Sequence, residues 1–297
     1  MLDVRKMALL HALARLGTIA AVAQAQFCTP SAVSQQLAAL EREAGVPLLQ
    51  RSGRGVVLTP AGADLAERAG RVLALLEEAS AALASARAEL SGELRIGAFP
   101  TAVRTLLPAA LVALGAAHPR LELHVTELDP AQAPDALHAG LLDVALVHEY
   151  DYVPAEPDPA LDTEPLLTET IFLASAALPA GDDDPVRRCR NVPWIVASPG
   201  TLCHLMAVRL CQAAGFTPKV RHHADDFATV LALVAAGQGV ALVPELALAD
   251  RPAAVELTAL PARRRTRIAY RAGSGGHPAI SACAAALREA VAVYDVG

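Results

Sequence analysis

The spacing of apolar residues predicts that the chain begins with helices. Residues three and four positions apart mark the first helix: Leu9, Leu10, Leu13 and Leu16. This helix is expected to end near Gly17, because glycine commonly stops a helix. Residues 18–37 then predict two short helices joined by a tight turn, the first of them capped by the hydroxyl of Thr18.

The second of these short helices has two different faces on its way to Ala44. Either Thr29 or Ser31, on the two sides of Pro30, can begin it, and Gly45 stops it. At 100° per residue its apolar side carries Val33, Leu37 and Leu40. The opposite side carries Ser31, Ser34, Gln35, Ala38 and Arg42. Hydroxyl, amide and guanidinium groups on such a face read base edges and phosphates, so the pattern predicts a DNA recognition helix in the major groove.

Two short apolar runs follow the predicted recognition helix. They flank a Gly-Arg-Gly tip in VPLLQRSGRGVVLT, residues 46–59, and predict a β-hairpin. Arg51 and Arg54 on this hairpin are placed to contact the DNA backbone or the minor groove. Residues 1–58 are therefore predicted to form a winged helix-turn-helix head.

Residues 59–91 predict one long helix with a heptad seam. Its apolar positions alternate at intervals of four and three: Leu65, Ala69, Val72, Leu76, Ala79, Leu83, Ala86 and Leu90. We expect this linker helix to pair with a second copy and so form a homodimer. A single helix packed on its own domain is the alternative.

Residues 92–297 alternate strands with helices, which predicts an α/β body with parallel sheets. We divide it into lobe I, residues 92–166 and 267–297, and lobe II, residues 167–266. Because ligands bind at the carboxyl ends of parallel strands, a site is expected in the cleft between the lobes.

Composition and charge narrow the class of protein. The chain has 297 residues and a net charge of −6, yet residues 1–58 carry six basic and three acidic side chains. A basic head on an acidic body favours phosphate contacts confined to the head. Although 54% of the residues are hydrophobic, the longest uncharged stretch, 227–244, is broken by two glycines, so no membrane span is predicted. With no leader pattern at the N-terminus, we expect a cytoplasmic protein with reduced cysteines.

Two loops that follow strands and precede helices are candidates for the ligand site. Each offers a hydroxyl beside a helix start, whose free backbone N–H groups suit a carboxylate. The candidate effector-binding residues are Phe99, Pro100 and Thr101 in the first loop, Ser198, Gly200 and Thr201 in the second, and His148. Capping of the two helices is the alternative role for these hydroxyls. We expect a small, anionic ligand.

No enzyme motif is present among G-x-S-x-G, the P-loop, G-x-G-x-x-G and H-E-x-x-H, so we predict no catalytic residue and no cofactor. His222, His223, Asp225 and Asp226 are of metal-binding types, but adjacent side chains at a strand end point to opposite faces. We therefore predict no metal site and expect one of these aspartates to cap the next helix. A solute-binding module or a two-lobed enzyme can share the body, but either needs a different N-terminus.

The head, the linker helix and the two-lobed body together resemble the LysR-type transcriptional regulators. The specific part is TPSAVSQQLAALEREAGVPLLQR, residues 29–51, followed by LTPAG. The body matches more loosely through LRIGAF, HAGLLDVALVHEYD and GQGVALVPELA. Gln26 departs from the usual core leucine, with Phe27 expected to fill the gap, and Leu49 replaces a common phenylalanine.

The resemblance implies a two-lobed α/β effector domain like that of periplasmic binding proteins. It implies promoter DNA and a small-molecule effector as partners, dimers that pair into a homotetramer on a bent site, and RNA polymerase as a further candidate partner. The positions it implies for reading DNA are Pro30, Ser31, Ser34, Gln35 and Arg51; Thr29 and Arg54 complete our candidate set.

Cys203 and Cys211 raise the alternative of a redox-sensing regulator of the same family. The peroxide-sensing branch carries a pair nine residues apart, whereas the interval here is eight. On one helix, eight residues separate the α-carbons by about 12 Å. That exceeds the roughly 7 Å limit for a disulfide, so a bridge requires local unfolding.

Overall fold

The structure is a computed structural model that describes residues 1–53, 55–86, 89–154, 157–181, 184–249 and 251–294. Its N-terminal head contains three helices and a two-stranded hairpin. These are α1 (Val4–Leu16), α2 (Ile19–Ala25), α3 (Pro30–Ala44), β1 (Leu49–Ser52) and β2 (Gly55–Leu58). One apolar core, which includes Leu10, Val22 and Leu40, holds the head together. The predicted winged helix-turn-helix is confirmed in its elements.

The helix boundaries in the head follow from side-chain caps. Thr18 Oγ1 accepts a hydrogen bond from the Ala21 N–H at 3.1 Å, which begins α2. Thr29 Oγ1 accepts one from the Ala32 N–H at 3.2 Å, so Thr29 rather than Ser31 begins α3. Gly45 ends α3 with φ +70°, a conformation that costs glycine little.

The expectation that Phe27 fills a core gap is wrong. Its side chain is 75% exposed. Phe27 is also the one residue other than glycine with a positive φ, +50°, among the described residues. This left-handed backbone makes the tight turn between α2 and α3 and directs the ring outward, while Gln26 beside it is exposed as well.

The linker helix is α4 (Pro60–Ser85), which is shorter than the predicted span 59–91, so Leu90 of the predicted seam lies beyond its end. The first half of α4 belongs to the head. Ala66 and Ala69 are buried against the head core. The second half leaves large apolar side chains in solvent, with Leu75 61% and Leu83 72% exposed. A long helix with one buried end and an apolar exposed end is typical of a helix that pairs with a partner.

The body has two lobes joined by two long strands. The first lobe contains β3 (Gly92–Ala98), α5 (Pro100–Thr105), α6 (Leu107–Ala117), β4 (Leu121–Glu127), α7 (Ala133–His138), β5 (Val144–Tyr150) and the closing helix α11 (Pro278–Tyr294). The second contains α8 (Pro185–Arg188), β7 (Pro193–Val196), α9 (Leu202–Ala213), β8 (Lys219–His223), α10 (Phe227–Ala235) and β9 (Ala241–Pro244). The strands that cross between them are β6 (Leu161–Ser175) and β10 (Glu256–Arg271).

The sheets are mixed, which corrects the expectation of parallel sheets. The main sheet has the order β4-β3-β5-β10-β6-β9, and only its β4, β3 and β5 are parallel neighbours. β10 runs antiparallel to both β5 and β6 because it brings the chain back from the second lobe into the first. A separate parallel pair, β7 and β8, serves the second lobe.

Head and body also touch within one chain. Arg15 of α1 forms an ion pair with Asp135 of α7, with 2.6 Å between Nη1 and Oδ1. Arg271 at the end of β10 pairs with Glu77 of the linker helix at 2.8 Å. Gly273 lies so close to the Ala74 carbonyl that a Cβ there would overlap it.

No single helix in the described ranges is both long and apolar enough to cross a bilayer. Only α1 and α2 taken together reach that length and apolarity, and they meet at an angle of 117°.

Gly62 supplies a test of the joint between hairpin and linker helix. A Cβ at Gly62 would overlap the Leu48 carbonyl oxygen, whereas one at Gly115 in α6 meets nothing within 4 Å. We expect Gly62→Ala to lower the free energy of unfolding by about 1–3 kcal/mol. Gly115→Ala, the matched control, should raise it by about 0.5–1 kcal/mol. Urea denaturation of the full chain measures both, and an unchanged Gly62→Ala midpoint would contradict the close packing.

Candidate nucleic-acid interface and ligand cleft

The recognition helix presents the polar face that its sequence predicts. Val33, Leu37 and Leu40 are buried in the head core. The candidate residues on the other side of the helix are exposed: Thr29, Pro30, Ser31, Ser34 and Gln35. Two hydroxyls have local partners, since Thr29 caps the helix and Ser34 Oγ donates to the Pro30 carbonyl at 2.9 Å. A hydroxyl that donates to its own helix keeps its lone pairs for another donor.

The hairpin and the start of α3 share one groove. Pro30 and Arg51 both line this space of about 730 Å³, together with Thr18 at the start of α2. Arg51 is exposed on β1. Arg54, the other candidate on the hairpin, lies outside the described residues. The groove brings the predicted recognition helix and Arg51 to one side of the head.

The acidic residues of the head are used internally. Asp3 accepts the N–H of Arg5 at 2.8 Å and caps α1. Glu41 accepts the N–H groups of both Leu48 and Leu49, at 2.9 and 3.0 Å, and so fixes the hairpin to α3. Glu43 pairs with Lys6, and that hydrogen bond lowers the pKa of the Glu43 carboxyl.

A cavity of about 240 Å³ lies between the two lobes of the body. It sits beyond the carboxyl ends of β3 and β4, where a parallel sheet places its ligands. Five predicted effector residues line it: Phe99, Pro100, Thr101, His148 and Thr201. The other two, Ser198 and Gly200, are not among its lining residues.

The second-lobe loop has a structural role in this conformation. Thr201 Oγ1 accepts the His204 N–H at 3.1 Å and caps α9. Asp225 accepts hydrogen bonds from the N–H and the hydroxyl of Ser198, both at 2.7 Å. Asp226 caps α10 through the Thr229 N–H at 2.9 Å, as expected for one of these aspartates. Capping therefore accounts for Thr201, and Ser198 supports the loop.

A buried ion pair that sequence analysis missed closes the floor of the cleft. Arg264 on β10 and Glu169 on β6 face each other in register, and Nε lies 2.6 Å from Oε1. Arg264 is 1% exposed. Burial acts to lower the pKa of its guanidinium, but the charge of Glu169 and the hydrogen bond to it contribute to raising that pKa above its usual value. Its Nη2 donates to Thr101 Oγ1 at 3.3 Å, and its guanidinium lies 4.8 Å from the Phe99 ring centroid.

The sequence does not single out Arg264, because the residues on both sides of it are also arginines. It stands in ARRRTR, residues 262–267, which reads as an exposed basic run. The signal that finds it is strand alternation, because Ala262, Arg264, Thr266 and Ile268 share one face and all are buried.

His148 is the least satisfied polar group in the cleft. It is 5% exposed, and neither ring nitrogen has a hydrogen-bond partner among the described residues. Its ring packs edge-on against Phe99 and Tyr150. Burial and the nearby Arg264 lower the pKa of His148 well below its usual value, so the ring is neutral at pH 7 and offers one donor and one acceptor.

The thiols of α9 do not have the character of reactive cysteines. Cys203 Sγ lies 3.2 Å from the Tyr150 hydroxyl, and burial raises the pKa of its thiol. Burial raises the pKa of Cys211 to about 12. Because the thiolate is the reactive species, neither residue is activated for oxidation in this conformation.

Comparison with known proteins accounts for both parts of the chain. Residues 4–63 match the model of the bacterial regulatory helix-turn-helix proteins of the lysR family. Residues 87–292 match the model of the LysR substrate binding domain.

Among curated relatives, a probable hydrogen peroxide-inducible genes activator of Streptomyces viridosporus is 34% identical over 88% of this chain and 85% of its own. The transcriptional regulator TfdS of Cupriavidus pinatubonensis is 32% identical over 84% of this chain and 85% of its own.

Among solved structures, an OxyR mutant of Corynebacterium glutamicum superposes with a TM-score of 0.60 at 25% identity, covering 100% of this chain and 94% of its own. Full-length BenM, at 22% identity, covers 99% of this chain and 98% of its own with a TM-score of 0.56, which shows the shared fold.

Removing one partner of the buried ion pair should destabilise the body strongly. Arg264→Met leaves the Glu169 carboxylate buried without its cation, at a cost of about 3–5 kcal/mol. Adding Glu169→Gln removes that charge and keeps an acceptor for the Leu246 N–H, so the double variant should recover much of the loss. The single tryptophan, Trp194, is buried in the second lobe and reports unfolding by fluorescence in urea. A double variant less stable than Arg264→Met would contradict this account.

Proposed function

The chain belongs to the LysR family of DNA-binding transcriptional regulators, and we propose that α3 reads its promoter while the cleft between its lobes binds a small-molecule effector. The observation that carries the proposal is the exposed polar face of α3 beside Arg51, on a head whose acidic groups are engaged internally. A regulator of this design acts by binding and has no need of a catalytic site, so we infer that it is not an enzyme.

We propose that α3 enters the major groove and that the hairpin contacts the backbone. Ser34 and Gln35 lie on its exposed face and have the groups that read base edges. Arg51 contributes to affinity rather than to sequence preference, because phosphate contacts are the same at every site. The domain limits 1–58, 59–91 and 92–297 describe this division of roles.

We propose that two copies pair through the linker helix. Leu75, Leu76 and Leu83 form an apolar exposed surface on its second half, which a partner helix can cover. Two recognition helices then read two half-sites, and two dimers form a tetramer. The solved structure of CbnR, which shares this fold, is described as complexed with its target DNA, and this supports DNA as the partner. We place the protein in the cytoplasm, where promoter DNA and RNA polymerase are found.

We propose that the effector binds against Thr101 and His148. Both are buried, both line the cleft, and they come from the first lobe, while α9 and Asp225 come from the second. A ligand that contacts both lobes favours their closed arrangement by its difference in affinity for the two states. This closure is the step that changes DNA binding.

Gln35→Ala should relax sequence preference. Losing a bidentate base contact costs about 1–3 kcal/mol at the cognate site and little at other sites. Gln36→Ala, the matched control, removes the same side chain one position away and should change selectivity less.

Arg51→Ala should weaken binding to all sequences and reduce the salt slope by about one. Fluorescence anisotropy on promoter and scrambled duplexes measures both effects. Unchanged selectivity of Gln35→Ala would refute the recognition-helix assignment.

Thr101→Val tests the cleft as the effector site. Metabolites that raise the melting temperature of the full chain should lose that effect in Thr101→Val, because the variant lacks the hydroxyl beside Arg264. Thr105→Val is the matched control, since its hydroxyl bonds the Thr101 carbonyl one turn away and does not line the cavity. Stabilising compounds that act equally on both variants bind elsewhere, and that result would reject the cleft.

A further inference from the structure

We propose that the effector carries a cationic amine, and that Glu127 at the mouth of the cleft is the residue that selects for it. The inference rests on the proposed function of the cleft and names the chemical class of its ligand. It differs from the small, anionic ligand that the helix starts alone predict.

The charged side chains that line the cavity are mainly acidic. Three carboxylates, those of Glu127, Asp129 and Asp225, line it, and the single guanidinium on its wall is Arg264. Arg264 is already neutralised by Glu169, a buried partner that does not line the cavity. A bare anion in this space meets three carboxylates, and the one cation among the described lining residues, Arg264, is already paired. Like charges at short range cost free energy, and an opposite charge gains it.

The three carboxylates are not equally available. Asp225 accepts two hydrogen bonds from Ser198, and Asp129 Oδ1 accepts the Ala131 N–H at 2.8 Å. The Glu127 side chain is exposed at the end of β4, and its carboxylate has no hydrogen bond with any described residue. The Glu127 carboxylate is therefore free to bind an ammonium group. Outside the cavity wall, burial acts to raise the pKa of the Asp226 carboxyl, but hydrogen bonds with Thr229 and the nearby charge of Arg104 lower it overall.

His148 independently indicates that this cavity takes a polar ligand. A buried ring with two unpartnered nitrogens is costly unless something binds them. Its neutral ring supplies an acceptor that an ammonium or hydroxyl group can use, as well as a donor for an oxygen. Glu127 at the rim and His148 in the wall therefore offer acceptors at two depths of one cavity.

The remainder of the wall sets the size and character of the ligand. Phe99, Pro100, Leu128 and Phe227 give it apolar surface. The cavity of about 240 Å³ corresponds to roughly eight water molecules at ~30 Å³ each. An amine or amino acid with a compact apolar body fits both properties.

Matched sets of ligands test whether the cleft prefers an amine or an acid. We would measure binding to the full chain by calorimetry with phenylalanine, 2-phenylethylamine and 3-phenylpropionate, and with the corresponding trios built on leucine and valine. The expected result is that stabilising ligands are found among the amines or amino acids and that their deaminated acids bind at least about tenfold more weakly. Hits confined to the acids, or no hit among the amines and amino acids at millimolar concentration, would overturn the proposal.

Glu127→Gln identifies the selecting residue. This substitution should weaken binding of the amine about five- to tenfold. Glu122→Gln, at an exposed residue of the same strand that does not line the cavity, should have no effect. If amine binding is lost in Thr101→Val yet unchanged in Glu127→Gln, the cleft is the site and Glu127 is not the selector. If neither substitution changes it, the cleft proposal itself fails.

Discussion

The body is organised around the ion pair between Arg264 and Glu169. These residues lie opposite each other on the two strands that cross between the lobes, so their contact lies at the crossing itself. Glu169 also accepts the Leu246 N–H, and Arg264 reaches Thr101 on the first lobe. Burying two charges costs free energy that offsets most of their attraction, so the pair adds little net stability. Separating the two charges inside the protein is costly, so the pair favours the one arrangement of the strands in which they meet.

The sequence predicts local structure well wherever local chemistry decides it. Thr18, Thr29 and Gly45 mark helix ends because capping depends on a few neighbouring residues. The order of strands in the sheet depends on where β10 returns, which no local pattern encodes, and so the parallel sheet was predicted wrongly. Phe27 was misjudged for a related reason, because a resemblance gives a residue's position in the chain and not the direction of its side chain.

The proposed ligand site also contains both residues that the sequence predicts and residues that it does not. Thr101 was predicted from a loop after a strand and His148 from its place after DVALV, and both line the cavity. Arg264 and Glu127 were not predicted, because the roles proposed for them depend on neighbours distant in sequence: Glu169 neutralises the first, and the second lines the cavity together with residues of both lobes. A helix start in isolation favours an anion. In the folded protein the same helix start lies beside three carboxylates, which disfavour an anion. The net charge around the ligand therefore depends on how the whole cavity wall is assembled, and no single loop determines it.

One short segment connects the cleft to the head. Asp129 and Pro130 line the cavity, and a few residues later Asp135 on α7 pairs with Arg15 of the head. Arg271 holds the end of α7 through the carbonyls of Leu137 and Leu142, and its other partner is Glu77 of the linker helix. One segment of the chain therefore contacts both the cavity and the head. An effector shifts an equilibrium by its differential interaction with two states, and a segment that contacts both sites is a place where those states can differ.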